Sequence, residues 1–315
     1  MRDLRIIFMG TPDFAVDTLK TIVENKYNVV GVITAPDRPA GRGRKLKASA
    51  VKEYALTKHL NILQPTNLKD PDFIKELEAL KPNLNLVVAF RMLPKIVWDM
   101  PEYGTFNLHA SLLPDYRGAA PINWAVINGE QKTGVTTFFI DEKIDTGHII
   151  LQKEVAIDDN DTAGVLHDKL MTEGSLLVLQ TLELIKENTF TIKEQPKEAK
   201  FKTAYKLNRE NTKIDWNDDI NIINNLIRGL SPYPAAWCEL QNNGITQNIK
   251  IYNAIPLTEV HNFEVGKIVI EDTMIKVAVN NGYLIITKLQ LPGKKAMESN
   301  ALLNGYTFYR DAKMA

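Results

Sequence analysis

Over the first 150 residues the apolar positions gather in short unbroken runs, with helically spaced positions between them. Residues 4–9, 28–34 and 84–90 are mostly apolar stretches of strand length, and 104–108 reads as a shorter strand. Polar starts separate them. Thr11-Pro12, Ser49 and Asp70-Pro71 are N-cap and first-turn residues, and they predict helices from residue 12, over 49–59 and over 70–80. Fully apolar strands alternating with helices predict a parallel sheet covered on both faces. Pro121 opens a further helix that Gly129 ends, and residues 134–140 and 148–152 read as a following strand pair. Residues 162–187 form one long amphipathic pattern, with Leu166, Leu170, Leu177 and Leu184 on the buried face.

The pattern then changes. Residues 193–206 are charged, carry Pro196 and lack periodicity, which predicts a linker. Beyond it come a helix over 219–230, a Ser231-Pro232-Tyr233-Pro234 break and short strands over 249–254, 266–270, 275–279 and 283–289. Short strands at that spacing predict a small antiparallel barrel. The expectation is an α/β chain: a mostly parallel, Rossmann-like sheet domain over 1–192, a linker over 193–206 and a small barrel over 207–315.

Composition narrows the class. At 315 residues the chain is long for one core. No apolar run approaches the ~20 residues of a membrane span, and a strand beginning at residue 4 leaves no room for a signal peptide. A cytoplasmic setting is expected. The single cysteine, Cys238, follows Trp237 in an apolar run and is expected to be a buried, inert thiol. His59, His148, His167 and His261 are scattered, with no ligand pair at helical spacing, so no metal is expected. The formal net charge is zero, so any nucleic-acid argument must rest on a local cluster. The best lies over residues 37–47, where Arg38, Arg42, Arg44, Lys45 and Lys47 face the single acid Asp37. Its glycines and prolines predict a mobile loop, which could equally be plain solvated coil. Gly10-Thr11-Pro12 lacks the spacing of a dinucleotide fingerprint or a P-loop and reads as a strand-to-helix turn.

Candidate chemistry concentrates in residues 106–147. Asn107 and His109 are two apart at the end of an apolar run, so in a strand they face one space. Open α/β sheets bind ligands beyond such carboxyl ends. Asp145 sits in an Asp-Thr-Gly turn. An amide and an imidazole can donate to a developing oxyanion, and a carboxylate can support the imidazole; that set suits moving a small acyl group between nitrogens. Taken singly, His109 could be structural, and Asp141 and Glu142 are as acidic as Asp145.

The stretch 106–114 with 117–122, followed by 144–147, resembles the 10-formyltetrahydrofolate-dependent formyltransferases. Residues 10–14, 36–45, Ile214-Asp215-Trp216 and 292–297 extend the likeness over nearly the whole chain. The resemblance implies that Asn107, His109 and Asp145 are the catalytic set. It implies a folate site lined by Ser111, Leu112, Leu113 and Pro114, with Val88, Phe90, Arg91, Ile140 and Asp141 around the pterin. It implies 10-formyltetrahydrofolate as formyl donor and methionyl initiator tRNA as acceptor, held by Arg38, Arg42, Arg44, Lys45, Lys294 and Lys295 and by an OB-like second domain. It also implies a monomer. Arg91 stands where the family usually has glycine, and Asp115 where it often has arginine. Rival readings are transfer to an amino sugar nucleotide and a non-catalytic folate- or RNA-binding protein.

Overall fold

The computed structural model describes residues 1–40, 45–196 and 200–315. Contacts divide the chain into two compact units. One is Met1–Gly118 with Thr133–Val155 and His167–Thr203; the other is Ala119–Lys132 with Ala156–Leu166 and Ala204–Ala315.

The first unit is built on a seven-stranded sheet. Its order is Ile149–Ala156, Lys132–Phe139, Thr105–His109, Leu84–Val88, Arg5–Gly10, Asn28–Ile33, Ile62–Leu63. The last five pair in parallel, and Thr105–His109 pairs antiparallel with Lys132–Phe139. This is the mostly parallel sheet expected. Its central strands are apolar throughout because helices cover both faces: Ile6, Ile7, Phe8, Leu84, Leu86 and Phe106 are fully buried.

The helix starts obey their caps, with one exception. The Ser49 hydroxyl accepts from the Lys52 amide, and the Asp70 carboxylate accepts from Asp72. Thr11 was expected to cap the first helix with Pro12 inside it. Instead the helix spans Asp13–Glu24, and Pro12 is its extended N-cap (ψ 175°) with no side-chain cap bond. Along the long helix Ala163–Glu187, Leu166, Leu170 and Leu177 are buried as expected, but Leu184 is only half-buried and Leu182 and Ile185 take its place. A seven-residue repeat drifts about 20° per heptad on a straight helix, enough to turn Leu184 off the buried stripe.

The second unit is a curled antiparallel sheet. Its order is Ile268–Glu271, Met274–Val279, Gly282–Gln290, Ile245–Leu257, Ala236–Asn242, Lys313–Met314, with Met297–Glu298 added beside Gly282–Gln290. A bridge between Lys267 and Lys313 nearly closes it into a barrel. Its core holds Ile251, Val277, Leu284 and Cys238 beneath the helix Ile220–Leu230, with Ile127 packed against it. Cys238 is fully buried, as its setting in the sequence suggested, and burial pushes its thiol up to about 12.

Candidate active site

Asn107 and His109 end the strand Thr105–His109 on one face of the sheet. The His109 ring is 6% exposed. Its Nε2 lies 2.8 Å from the Tyr116 carbonyl oxygen. A carbonyl only accepts, so Nε2 carries the hydrogen and Nδ1 is left facing outward. Nδ1 stands 3.8 Å from Asp145 Oδ2, too long for a direct hydrogen bond and within ion-pair reach. The half-buried Asn107 amide has no hydrogen-bond partner among the described residues. The structure therefore brings the three expected groups to one strand end.

Asp145 is held from three directions. The Gly118 amide donates to its Oδ2 at 2.9 Å. Its backbone sits in the left-handed region, with φ at +54°. Two residues on, Gly147 runs so close to the sheet that a Cβ would lie 1.7 Å from the Phe139 carbonyl oxygen, so no other residue fits there. The third hold comes from Gln195, 4% exposed, which the sequence had put in a linker. Its Nε2 donates to the carbonyls of Asp145 (3.1 Å) and Gly147 (2.7 Å), and its Oε1 accepts from Arg117 Nε (3.1 Å) and Nη2 (2.5 Å). The segment predicted as a connector is thus packed beside the site. Tyr116 N–H donates to the Lys202 carbonyl at 2.6 Å. Asp115, the residue found where the family often has arginine, accepts from Lys202 N–H at 3.0 Å. An arginine there could not accept.

Asp141 is spent elsewhere. Its Oδ1 accepts from the Lys143 amide and the Thr146 hydroxyl inside its own turn. The residues expected around folate divide similarly by what their polar atoms do. Ser111 is fully buried, and its hydroxyl donates to the Asp115 carbonyl. The turn 111–114, with a cis Leu113–Pro114 bond, hangs on Thr136. The Thr136 hydroxyl donates to the Ser111 carbonyl (2.6 Å) and accepts from the Leu113 amide (3.2 Å) and Gln152 Nε2 (3.0 Å). Neither Thr136 nor Gln152 stood out in the sequence, although Thr136 sits opposite His109 across the antiparallel pair. Leu113, Phe138 and Ile149 form an apolar cluster with Ile140 against it, and Ile140 and Phe90 both pack against a second cluster that includes Val87. Val88 is buried in its strand, Leu112 and Pro114 are half-buried, and the strand breaks at Ala89, whose φ is +47°.

The same unit holds a cleft of about 390 Å³. Thr11, Pro36, Arg38, Lys47, Phe90 and Arg91 are among its lining residues. Arg91 donates to the carbonyls of Thr66 (2.9 Å) and Pro65. Partial burial and the neighbouring Arg38 charge hold it below the ordinary arginine value. Arg38 belongs to a hairpin, Arg38–Ala40 with Lys45–Lys47, where a loop was expected. Asp37 anchors its base by accepting from Lys52 Nζ (2.6 Å) and Gln64 Nε2 (2.9 Å); those bonds hold its carboxyl below the usual range. Arg42 and Arg44 lie outside the described residues, and nothing is described for the Lys45 side chain. Lys294 and Lys295 are exposed in a turn of the second unit. Among the described residues, no group of three or more His, Cys, Asp or Glu side chains could hold a metal, and no helix is long and apolar enough to cross a membrane.

Comparison with known proteins matches the formyl transferase family over residues 4–182 and the formyl transferase C-terminal domain over residues 206–307. A methionyl-tRNA formyltransferase of Flavobacterium johnsoniae is 61% identical over 314 residues, covering 100% of both chains. One of Bacteroides fragilis is 50% identical over 319 residues, covering 99% of this chain and 98% of that one. Among solved structures, an N-formyltransferase of Helicobacter canadensis in complex with folinic acid and dTDP-3-aminofucose aligns with TM-score 0.64 at 23% identity, over 90% of this chain and 98% of that one. HypX of Aquifex aeolicus, in complex with tetrahydrofolic acid, aligns with TM-score 0.65 at 19% identity, over 96% of this chain and 47% of that one. At those identities the two structures speak for the fold alone.

Proposed function

The chain belongs to the formyl transferase family and, within it, to the methionyl-tRNA formyltransferases; from that premise we propose which substrates meet at the strand end and what each side chain does. The donor is 10-formyltetrahydrofolate. The acceptor is the α-amine of methionyl initiator tRNA, which attacks the formyl carbon directly, with no covalent enzyme intermediate. The observation that carries this reading is the His109 Nδ1–Asp145 Oδ2 approach of 3.8 Å beside the unpartnered Asn107 amide.

Asn107 donates to the oxygen of the transferred group as it gains charge. His109 cannot do so from Nε2, which is engaged by Tyr116; its Nδ1, bare in this tautomer, instead accepts the proton that the amine loses. The Asp145 carboxylate stabilises the resulting imidazolium, and a water at the mouth of the pair carries a proton on to the departing nitrogen. A positioned oxyanion donor is worth about 10²- to 10³-fold in rate, and proton handling about 10²- to 10⁴-fold. The turn 111–114 and the apolar group of Leu113, Ile140 and Phe90 form one wall of the folate site, with Leu112, Pro114 and Val88 behind it. They fit a flat heterocycle better than a charged one. Ser111 and Asp141 have their side-chain oxygens engaged internally, so they shape the site rather than touch the ligand. The exposed Arg38 and Lys47, with Arg42, Arg44 and Lys45, meet RNA phosphates, and Lys294 and Lys295 contact the tRNA body. The enzyme works as a cytoplasmic monomer.

The test is transfer of labelled formyl from 10-formyltetrahydrofolate to charged initiator tRNA, with charged elongator tRNA and an amino sugar nucleotide as controls. We expect label on the initiator species alone, and at least 10²-fold lower kcat in His109→Ala, Asp145→Asn and Asn107→Ala, with folate affinity changed less than about threefold. Label on the sugar nucleotide, or equal loss of binding and turnover in the three variants, would overturn the assignment.

A further inference from the structure

We infer that Gln195 is a positioning residue for the transfer step, setting the Asp145 carboxylate through two backbone carbonyls. This rests on the reading of Asp145 as the partner of His109. Gln195 lies fifty residues beyond Asp145, inside a segment whose composition reads as a connector. Yet its side chain is nearly inaccessible, and all four hydrogen-bonding valences of its amide are used. Both N–H groups donate to the Asp145 and Gly147 carbonyls, and both lone pairs accept from Arg117. Rotating the amide by half a turn would set its oxygen against two carbonyls and its NH₂ against a guanidinium, so one orientation is enforced.

The loop it grips needs an outside hold. Asp145 is a non-glycine residue in the left-handed region. Gly147 is pressed onto the Phe139 carbonyl with no room for a methyl group. Without donors on the outer side, two carbonyls of a strained turn would turn toward water and carry the carboxylate with them. The 3.8 Å spacing to Nδ1 is already at the outer edge of an ion pair, so a small outward shift of the carboxylate loses it. Misplacement of a reacting group by about 1 Å costs roughly 10²-fold in rate. Arg117, stacked over Phe201 at 5.3 Å, fixes the far side of Gln195. The brace therefore runs from Phe201 through Arg117 and Gln195 to Asp145, within one unit of the fold.

A packing role and a positioning role predict different kinetics. Gln195→Glu keeps an acceptor for Arg117 and loses both donors to the loop; Gln195→Met keeps the volume and loses everything. We expect kcat to fall about 10- to 100-fold in Gln195→Glu, with KM for 10-formyltetrahydrofolate changed less than about threefold; the new oxygen facing two carbonyls lowers the thermal midpoint, so turnover is read well below it. In the Asp145→Asn background the same substitution should cost less than about threefold, because a group acting through the carboxylate has nothing left to place. Wild-type kcat in Gln195→Glu, or full additivity with Asp145→Asn, would overturn the inference while leaving the role of Asp145 standing. Wild-type kcat in Asp145→Asn alone would remove both. Should Gln195→Met fail to fold, the Glu variant, with its Arg117 contact intact, carries the test by itself.

Discussion

His109 divides its ring between two tasks: Nε2 locks the plane of the imidazole against the Tyr116 carbonyl, and Nδ1 is left for chemistry. Cys238 is the opposite case, a potentially reactive group that the fold silences. Its thiol is pushed up to about 12 by burial, partly offset by the Trp216 side chain. The sign follows from linkage. The folded value lies above the ~8.5 of an unfolded thiol, so the contribution to stability is complete below that value and is lost as pH rises toward 12. Between pH 8 and pH 10 the wild type should lose roughly 2 kcal/mol more stability than Cys238→Ala, read from urea denaturation at the two pH values. Equal losses would mean that the folded thiol titrates in this window as an unfolded one does. Residue by residue, the site was only partly legible in the sequence. Asn107 and His109 declared themselves by their two-residue spacing at a strand end. Asp145 did not, because Asp141 and Glu142 are equally acidic; only the folded chain shows Asp141 turned into its own loop. Gln195 was invisible because its partners lie 48 to 78 positions away.

Elements whose ends are fixed locally were read well. Ser49, Asp70 and Asp219 each place a side-chain oxygen on an amide two or three residues ahead, an interaction written within four letters of sequence. Elements fixed by distant pairing were not. The paired strands Arg38–Ala40 and Lys45–Lys47 looked like coil, and the strand Ile245–Leu257 is thirteen residues long where six were expected, because its ends are held by neighbouring strands. The turn 111–114 belongs to this second kind. Its amide and carbonyl groups are met by one hydroxyl, that of Thr136, on a strand more than twenty residues later. Thr136→Val keeps the shape and strands a buried donor and a buried acceptor. It should cost about 1–3 kcal/mol of stability by denaturant titration and raise KM for folate more than it lowers kcat. A loss confined to kcat would place Thr136 with His109 rather than with the turn.

At the scale of the whole molecule, neither unit is a continuous stretch of sequence. The barrel's helix Ile220–Leu230 lies against the earlier helix Pro121–Ile127: a Cβ on Gly229 would meet Ile127 Cγ1 at 2.6 Å, and Asn123 Nδ2 donates to the Gly229 carbonyl at 2.8 Å. A fragment starting at residue 206 therefore lacks part of its own packing. It should melt below the barrel of the intact chain and bind an apolar dye, both measurable by circular dichroism and fluorescence; a dye-silent fragment with an unchanged midpoint would show the early helix to be dispensable. The same arrangement governs the order in which the protein can be made. Asn123 and Gly229 are 106 residues apart, and a ribosome adding roughly 5–20 residues per second needs about 5–20 s to travel between them. For that interval the Pro121–Ile127 helix is synthesised but has no surface to close against. The barrel thus completes itself backward, by the last third of the nascent chain returning to collect a piece released long before.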